Sequence, residues 1–181
     1  ENEGVILCLN YGGLYGINNI NHFLQESNSG KAIFRGIQRY KVGDPILFND
    51  ASDKFFTRTE EQLPVIHNNM TGRIVDFLLL NEGKATEGIQ FDIEIDRPLI
   101  DMDMKDMDFT IVGTAANGNS IIRFVVNKNK TTDEDDEGPS KAIVPFQIAY
   151  AVSIHKAQGL EYDHVKIIIT DEIDELITHS I

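Results

Sequence analysis

Two short, strongly apolar runs stand near opposite ends of the chain, Val5-Ile6-Leu7-Cys8-Leu9 and Val165-Lys166-Ile167-Ile168-Ile169. Each has the length of a strand and lacks a polar–apolar alternation, the pattern of strands buried on both faces of a parallel sheet. The first run closes at Asn10 in a glycine-rich turn. After it, Ile17, Ile20, Phe23 and Leu24 recur at helical spacing, which predicts a helix with one apolar face closed by Asn28-Ser29-Gly30. Before the second run, Ile148 to Ile154 is apolar and β-compatible, and His155 to Tyr162 is a glycine-containing connection.

From about Ile33 to Asn127 the texture changes to short β pieces separated by turn residues. Pro45-Ile46-Leu47-Phe48, Gly72 to Phe77, Ile89 to Ile95 and Ile121 to Val126 read as strands, and the third alternates cleanly. Strands spaced in this way predict a barrel or compact sandwich. Thr131 to Ser140 is charged and poor in core residues, so it predicts a mobile loop. The expected fold class is α/β. A parallel-sheet domain (1–32 and 141–181) is interrupted by a small β-barrel-like insertion (33–128), with an acidic mobile loop at 129–140. Ligands of such sheets bind at the strand-to-helix loops of the carboxyl edge.

The 181 residues suffice for one domain carrying an insertion, and the formal net charge of −13 argues against a protein that coats nucleic acid through a general positive field. Any strand contact must therefore be local. Acidic residues gather at Asp92–Asp108 and Asp133–Glu137, whereas Lys31, Arg35, Arg39, Lys41, Lys54 and Arg58 bias the earlier region positive. That segregation fits a groove of one sign and ordinary solvated faces equally well. No apolar run approaches the roughly 20 residues that cross a bilayer, and Glu1-Asn2-Glu3-Gly4 has no signal pattern. A cytoplasmic protein with no membrane association is expected. Cys8 is alone, which excludes a disulfide framework or thiolate metal site within the chain and predicts a small buried hydrophobe.

The polar turn between the last two core segments carries the chemistry. Ser153 and His155 offer a hydroxyl and an imidazole at the end of an apolar strand, both able to hydrogen-bond phosphate or sugar without reading sequence, and Lys156 adds a charge. Gly159 permits a close backbone approach, and Glu161 is able to accept hydrogen bonds from a ribose or to orient a loop. A solvated β–α loop with a capping Ser and a surface His is the plainer alternative. The whole stretch Ala149-Tyr150-Ala151-Val152-Ser153-Ile154-His155-Lys156-Ala157-Gln158-Gly159-Leu160-Glu161-Tyr162-Asp163-His164-Val165 resembles motif V of superfamily 1 helicases of the UvrD-like and RecD-like groups.

Ile6 to Gln25 is similar to the helicase segment in which a strand leads through Gly-x-x-Gly-Ile-Asn into a helix ending in Leu-Gln. Tyr40 to Ile46 and Asn68 to Val75 resemble the Gly-Asp and Asn-Gly elements that open the Src-homology-3-like barrel of RecD-type second motor domains. Asn69-Met70-Thr71-Gly72 spaces out the usual Asn-Gly, and Ala157 replaces a more common Ser. The resemblance implies an incomplete RecA-like second motor domain of an ATP-dependent DNA helicase. It implies single-stranded DNA, or RNA, on Ser153, His155 and Lys156, and a nucleotide cleft faced by Gln158, Gly159 and Glu161. The inserted barrel would form a second wall or a pin near a duplex junction. By the same resemblance, ATP and magnesium would belong to a parent enzyme, bound chiefly by an N-terminal motor domain that would be this segment's partner. None is expected on this segment alone, which lacks the P-loop and motif VI.

Other motifs are weaker. Thr170-Asp171-Glu172 after the last strand imitates a Walker B end, but no G-x-x-x-x-G-K-[ST] accompanies it. Asp101 to Asp108 lacks the glycine and closing Glu of an EF-hand loop, and the five His show no zinc-ligand spacing. Tyr11 to Gly16 does not fit a dinucleotide fingerprint. The rival reading from another class is a noncatalytic interaction module, an acidic α/β domain with a β-barrel that docks a protein partner.

Overall fold

A computed structural model describes residues 4–49, 65–84, 86–99, 108–127, 129–130, 140–141, 143–158, 160 and 162–169. Lys54, Arg58, most of the Asp101–Asp108 run, the Thr131–Pro139 stretch, Gly159, Glu161 and residues 170–181 lie outside them. The protein is a sheet-rich α/β chain that divides into two units, 1–29 with 148–181, and 30–147.

The first unit holds a small parallel sheet. Strand β1 (Gly4–Cys8) leads into helix α1 (Ile17–Glu26). The second unit contributes β2 (Ala32–Arg35), β3 (Gln38–Lys41), β4 (Pro45–Phe48), β5 (Thr71–Leu80), β6 (Gly88–Ile95), β7 (Thr110–Thr114), β8 (Ser120–Asn127), β9 (Asn129–Lys130) and β10 (Ser140–Lys141). Strand β11 (Phe146–Ile148) spans the division between units, and β12 (Ala151–Ser153), α2 (Ile154–Ala157) and β13 (His164–Ile168) return to the first.

The parallel sheet has the order β12-β1-β13, with β1 central and both pairings parallel. Its strands thus come from the two ends of the chain. Ile17 of α1 packs with Cys8 and Ala151, and Ile6, Ile20 and Ile168 pack at the margin of this cluster. Cys8 is buried, and desolvation raises its thiol pKa, so it behaves as a small hydrophobe.

Three local expectations change. The buried stripe of α1 is rotated: Phe23 is 68 % exposed and Gln25 is buried instead. The face turns because Asn21, next to Ile17 and Leu24 on the helix surface, is drawn to the backbone of β12. Strand β13 is parallel but not buried on both faces, since Val165 and Ile167, and Ile169 just after it, are about half exposed. Among the described residues, it is one of the two outer strands of its sheet. The apolar run from Ile148 to Ile154 is not one strand. Phe146–Ile148 joins the sheet of the second unit, a bend intervenes at Tyr150, and Ala151–Ser153 joins the parallel sheet.

The second unit is built on a six-stranded sheet in the order β11-β4-β5-β6-β8-β7, with the pairings from β4 to β7 antiparallel. Among the described residues its outer strands β11 and β7 are not paired with each other. The hairpin β2–β3 places Tyr40 on the core, where its ring meets Phe91 at 5.4 Å and Phe146 at 5.7 Å, both edge-on. Phe48 and Phe124 complete the aromatic cluster around Phe146.

Strand β6 shows the alternation that its sequence predicts, with Ile89, Phe91, Ile93 and Ile95 buried. Strand β5 does not alternate. A bulge between Ile74 and Asp76 lets Ile74 and Phe77, three residues apart, both face inward. A Cβ on Gly72 would lie 2.6 Å from the Glu94 carbonyl oxygen, so the close approach of β5 and β6 requires glycine there. The Gly-Asp element is a tight turn in which Gly43 has φ 90° and the buried Asp44 carboxylate accepts the Lys41 N–H at 2.7 Å.

Candidate functional site

All three parallel strands end at one edge. Cys8 at the end of β1 is in register with Ser153 at the end of β12 and with Ile168 of β13. The edge therefore gathers the glycine-rich loop after β1, the turn after β12 and the exit of β13, the position where α/β sheets bind ligands.

Strand β12 is kept in place by α1. Ile6 N–H donates to the Tyr150 carbonyl, so the backbone groups of Ala151 point away from β1. There the Asn21 carboxamide meets both of them. Its Nδ2 donates to the Ala151 carbonyl at 3.0 Å, and its Oδ1 accepts the Ala151 N–H at 2.7 Å. A side chain thus does for Ala151 what a neighbouring strand would do.

The chain leaves β12 at Ser153, extended at φ −74° and ψ 149°, and turns directly into α2. Ser153 Oγ accepts the Lys156 N–H at 3.2 Å, an N-cap, and the residue is 4 % exposed. The cap occupies a lone pair of the hydroxyl oxygen and leaves its proton as the donor. His155 and Gln158 are exposed and Lys156 is half-buried. Leu160 N–H donates to the Ala157 carbonyl at 3.1 Å as the chain emerges. Of the six residues singled out from sequence, Ser153, His155, Lys156 and Gln158 lie on this short path, while Gly159 and Glu161 fall outside the described residues.

The loop after β1 folds back on itself. Ile17 N–H donates to the Asn10 carbonyl at 2.9 Å, Asn18 N–H to the Tyr11 carbonyl at 3.2 Å, and Gly16 N–H to the Gly13 carbonyl at 3.2 Å. Two of the first helical donors of α1 are therefore satisfied by the loop itself. A Cβ on Gly16 would collide with the Gly12 carbonyl and lie 2.7 Å from that of Tyr11. This is the physical demand behind the glycine of the Gly-Ile-Asn motif. Outside the loop runs an open groove of about 590 Å³ lined by Tyr11, Gly12, Gly13, Leu14, Asn18, Asn19 and His22. Tyr11 and Tyr15 are half exposed, and Leu14 is 70 % exposed.

Sequence reasoning missed the exposed aromatic residues of the loop and the Asn21 clamp. The available signal for the clamp was an Asn within the apolar stripe of a helix, where a short polar side chain is unfavourable unless it bonds backbone. Nothing in the periodicity named its partner 130 residues away. No protein-family model matches the chain, and no curated protein sequence does.

Proposed function

We propose that this chain is the strand-gripping part of the second, RecA-like motor domain of an ATP-dependent superfamily 1 DNA helicase, carrying an inserted Src-homology-3-like β unit. The observation that supports this most is the meeting, at one sheet edge, of the two segments that resemble helicase motifs: the loop after β1 and the turn after β12, on adjacent parallel strands. Adjacent parallel strands bring the loops that follow them together, as two motifs of one domain acting at one site require.

In this reading His155 and Lys156 hold the sugar-phosphate chain through its phosphates, contacts that position without reading base sequence. Ser153 positions them by capping α2 and keeps its hydroxyl proton for a further contact. Tyr11 and Tyr15 supply ring faces on which bases stack, a sequence-tolerant contact. Gln158, with Gly159 and Glu161, faces the nucleotide. ATP and magnesium would be held chiefly by a P-loop motor domain, and the exposed carboxamide of Gln158 can both donate and accept toward a bound nucleotide. Because Gln158 follows His155 and Lys156 by only a few residues, a shift at one end of the turn displaces the other. That is the proposed coupling of nucleotide state to strand grip.

The test uses the polypeptide in which this segment is joined to its P-loop domain. Replacing His155 and Lys156 with Ala weakens single-strand affinity and strand-stimulated ATP turnover; unchanged stimulation would count against the assignment.

A noncatalytic docking module is the second reading, favoured by the half-exposed Val165 and Ile167 of β13, by Ile169 just after it and by the charge of −13. Docking through an apolar face changes little with salt, whereas strand binding weakens as salt rises.

A further inference from the structure

The turn between β7 and β8 contains the chain's one Asn-Gly dipeptide, Asn117-Gly118. Two backbone bonds close it, from Ala115 N–H to the Asn119 carbonyl at 2.8 Å and from Gly118 N–H to the Ala115 carbonyl at 2.9 Å. Gly118 has φ 90°, the left-handed conformation that such hairpin turns ask of glycine. Asn117 and Gly118 are exposed, and a Cβ on Gly118 would meet nothing within 4 Å, so water reaches the peptide that joins them.

The Asn117 carboxamide is held at both ends. Its Oδ1 accepts the Asn119 N–H at 3.0 Å, and its Nδ2 donates to Glu94 Oε1 of β6 at 2.8 Å. Asn119 Nδ2 donates to the same oxygen at 3.2 Å, so the half-buried Glu94 is tied to the turn through two carboxamides. The forward bond to Asn119 curls the side chain over the Gly118 peptide and brings Cγ to the side of the Gly118 nitrogen. A donor aimed at Oδ1 also stabilises the negative charge that this oxygen gains when Cγ is attacked.

We infer that Asn117 is a spontaneous modification site, at which the folded turn deamidates and then loosens from β6. The Gly118 N–H first releases the Ala115 carbonyl and gives its proton to hydroxide. The nitrogen then attacks Asn117 Cγ: the N–Cγ bond forms, the Cγ–Nδ2 bond breaks, and Nδ2 takes a proton from water and leaves as ammonia. Water opens the cyclic imide at either carbonyl, giving an aspartyl or an isoaspartyl residue. Glycine permits the attack because no side chain shields its nitrogen. The product puts a carboxylate where the donor to Glu94 stood, and two like charges at that range repel. The isoaspartyl form also lengthens the backbone between Thr114 and Ser120, which are paired across the turn. The site belongs to the second unit and is independent of the sheet-edge reading.

The test is incubation of the folded 181-residue chain in mildly alkaline buffer, followed by peptide mapping with mass spectrometry and by thermal melting. The amide-to-acid mass change is expected on the peptide carrying Asn117 ahead of every other Asn, divided between aspartyl and isoaspartyl forms, with a population that melts lower. Asn117→Asp melts lower from the start. Adding Glu94→Gln to it restores most of that loss, because a carboxamide donates to the new carboxylate. Asn117→Gln, which would have to close a larger and slower ring, shows no conversion at that position. An intact Asn117 after incubation, or earlier conversion at another Asn, would overturn the site. Conversion with an unshifted melt, or an Asn117→Asp variant that melts as the parent does, would overturn the loosening.

Discussion

The carboxamide of Asn21 in α1 is paired with both backbone polar groups of Ala151 in β12, one donated and one accepted hydrogen bond across 130 residues of chain. This clamp ties the strand that ends in the polar turn to the helix that begins in the glycine loop. The two halves of the candidate site are thereby held as one unit.

Asn21→Ala leaves the backbone groups of a fully buried Ala151 without partners, and burial of unpaired amide groups is expensive. The variant loses about 2–4 kcal/mol of stability in urea unfolding. Asn21→Asp keeps the acceptor and loses the donor, so it falls between. A loss below about 0.5 kcal/mol for Asn21→Ala would mean that water or another group replaces the clamp.

Gly16→Ala places a methyl group against the carbonyls of Gly12 and Tyr11. Because the obstacle is backbone, the loop must open. The expected cost is about 1–3 kcal/mol in unfolding experiments, with a changed environment of Tyr11 seen by its fluorescence. An unchanged melting curve would show that the loop has a second low-energy conformation.

Ser153→Ala removes the cap of α2 and costs about 1 kcal/mol. Ser153→Thr keeps the oxygen and retains most of that stability. Strand affinity follows the same order, since the cap orients Lys156. Equal affinity for the Ala and Thr variants, both below the parent, would separate the cap from strand binding.

Tyr40 supplies a pH dependence. Burial pushes its phenol up to about 12, with Arg35 opposing the shift by favouring the phenolate. In the unfolded chain the phenol ionises near 10. The contribution is therefore complete below about pH 10 and is lost as pH rises toward about 12, on the order of 2 kcal/mol. Tyr40→Phe flattens that part of the stability–pH curve. An identical alkaline slope in both proteins would contradict the assignment.

Legibility from sequence followed the range of the interactions. Local rules placed β1, α1, β4, β6 and β8, because apolar runs, helical spacing and alternation report a neighbour on the same element. They failed where a distant partner decides. The stripe of α1 turned toward Ala151, the run Ile148–Ile154 was split between two sheets, and the bulge in β5 broke a pattern that no single strand could reveal. Exposure of β13 was equally hidden, since an apolar run states what a strand tolerates and not what covers it. At the candidate site the residue types were readable, but the use of Ser153 as a cap was visible only once β12 ended where it does.

The central claim is that the turn from Ser153 to Gln158 holds a sugar-phosphate chain. The most direct measurement is fluorescence anisotropy of a labelled oligothymidylate with the 181-residue chain over a series of salt concentrations, for the parent and for the variant carrying His155→Ala and Lys156→Ala. The account predicts that the parent binds with an affinity that falls linearly on a log–log plot. It predicts that the variant binds more weakly, with the slope reduced by about 0.7 for the lost Lys156 charge. Equal affinity and equal slope in the two proteins would contradict it.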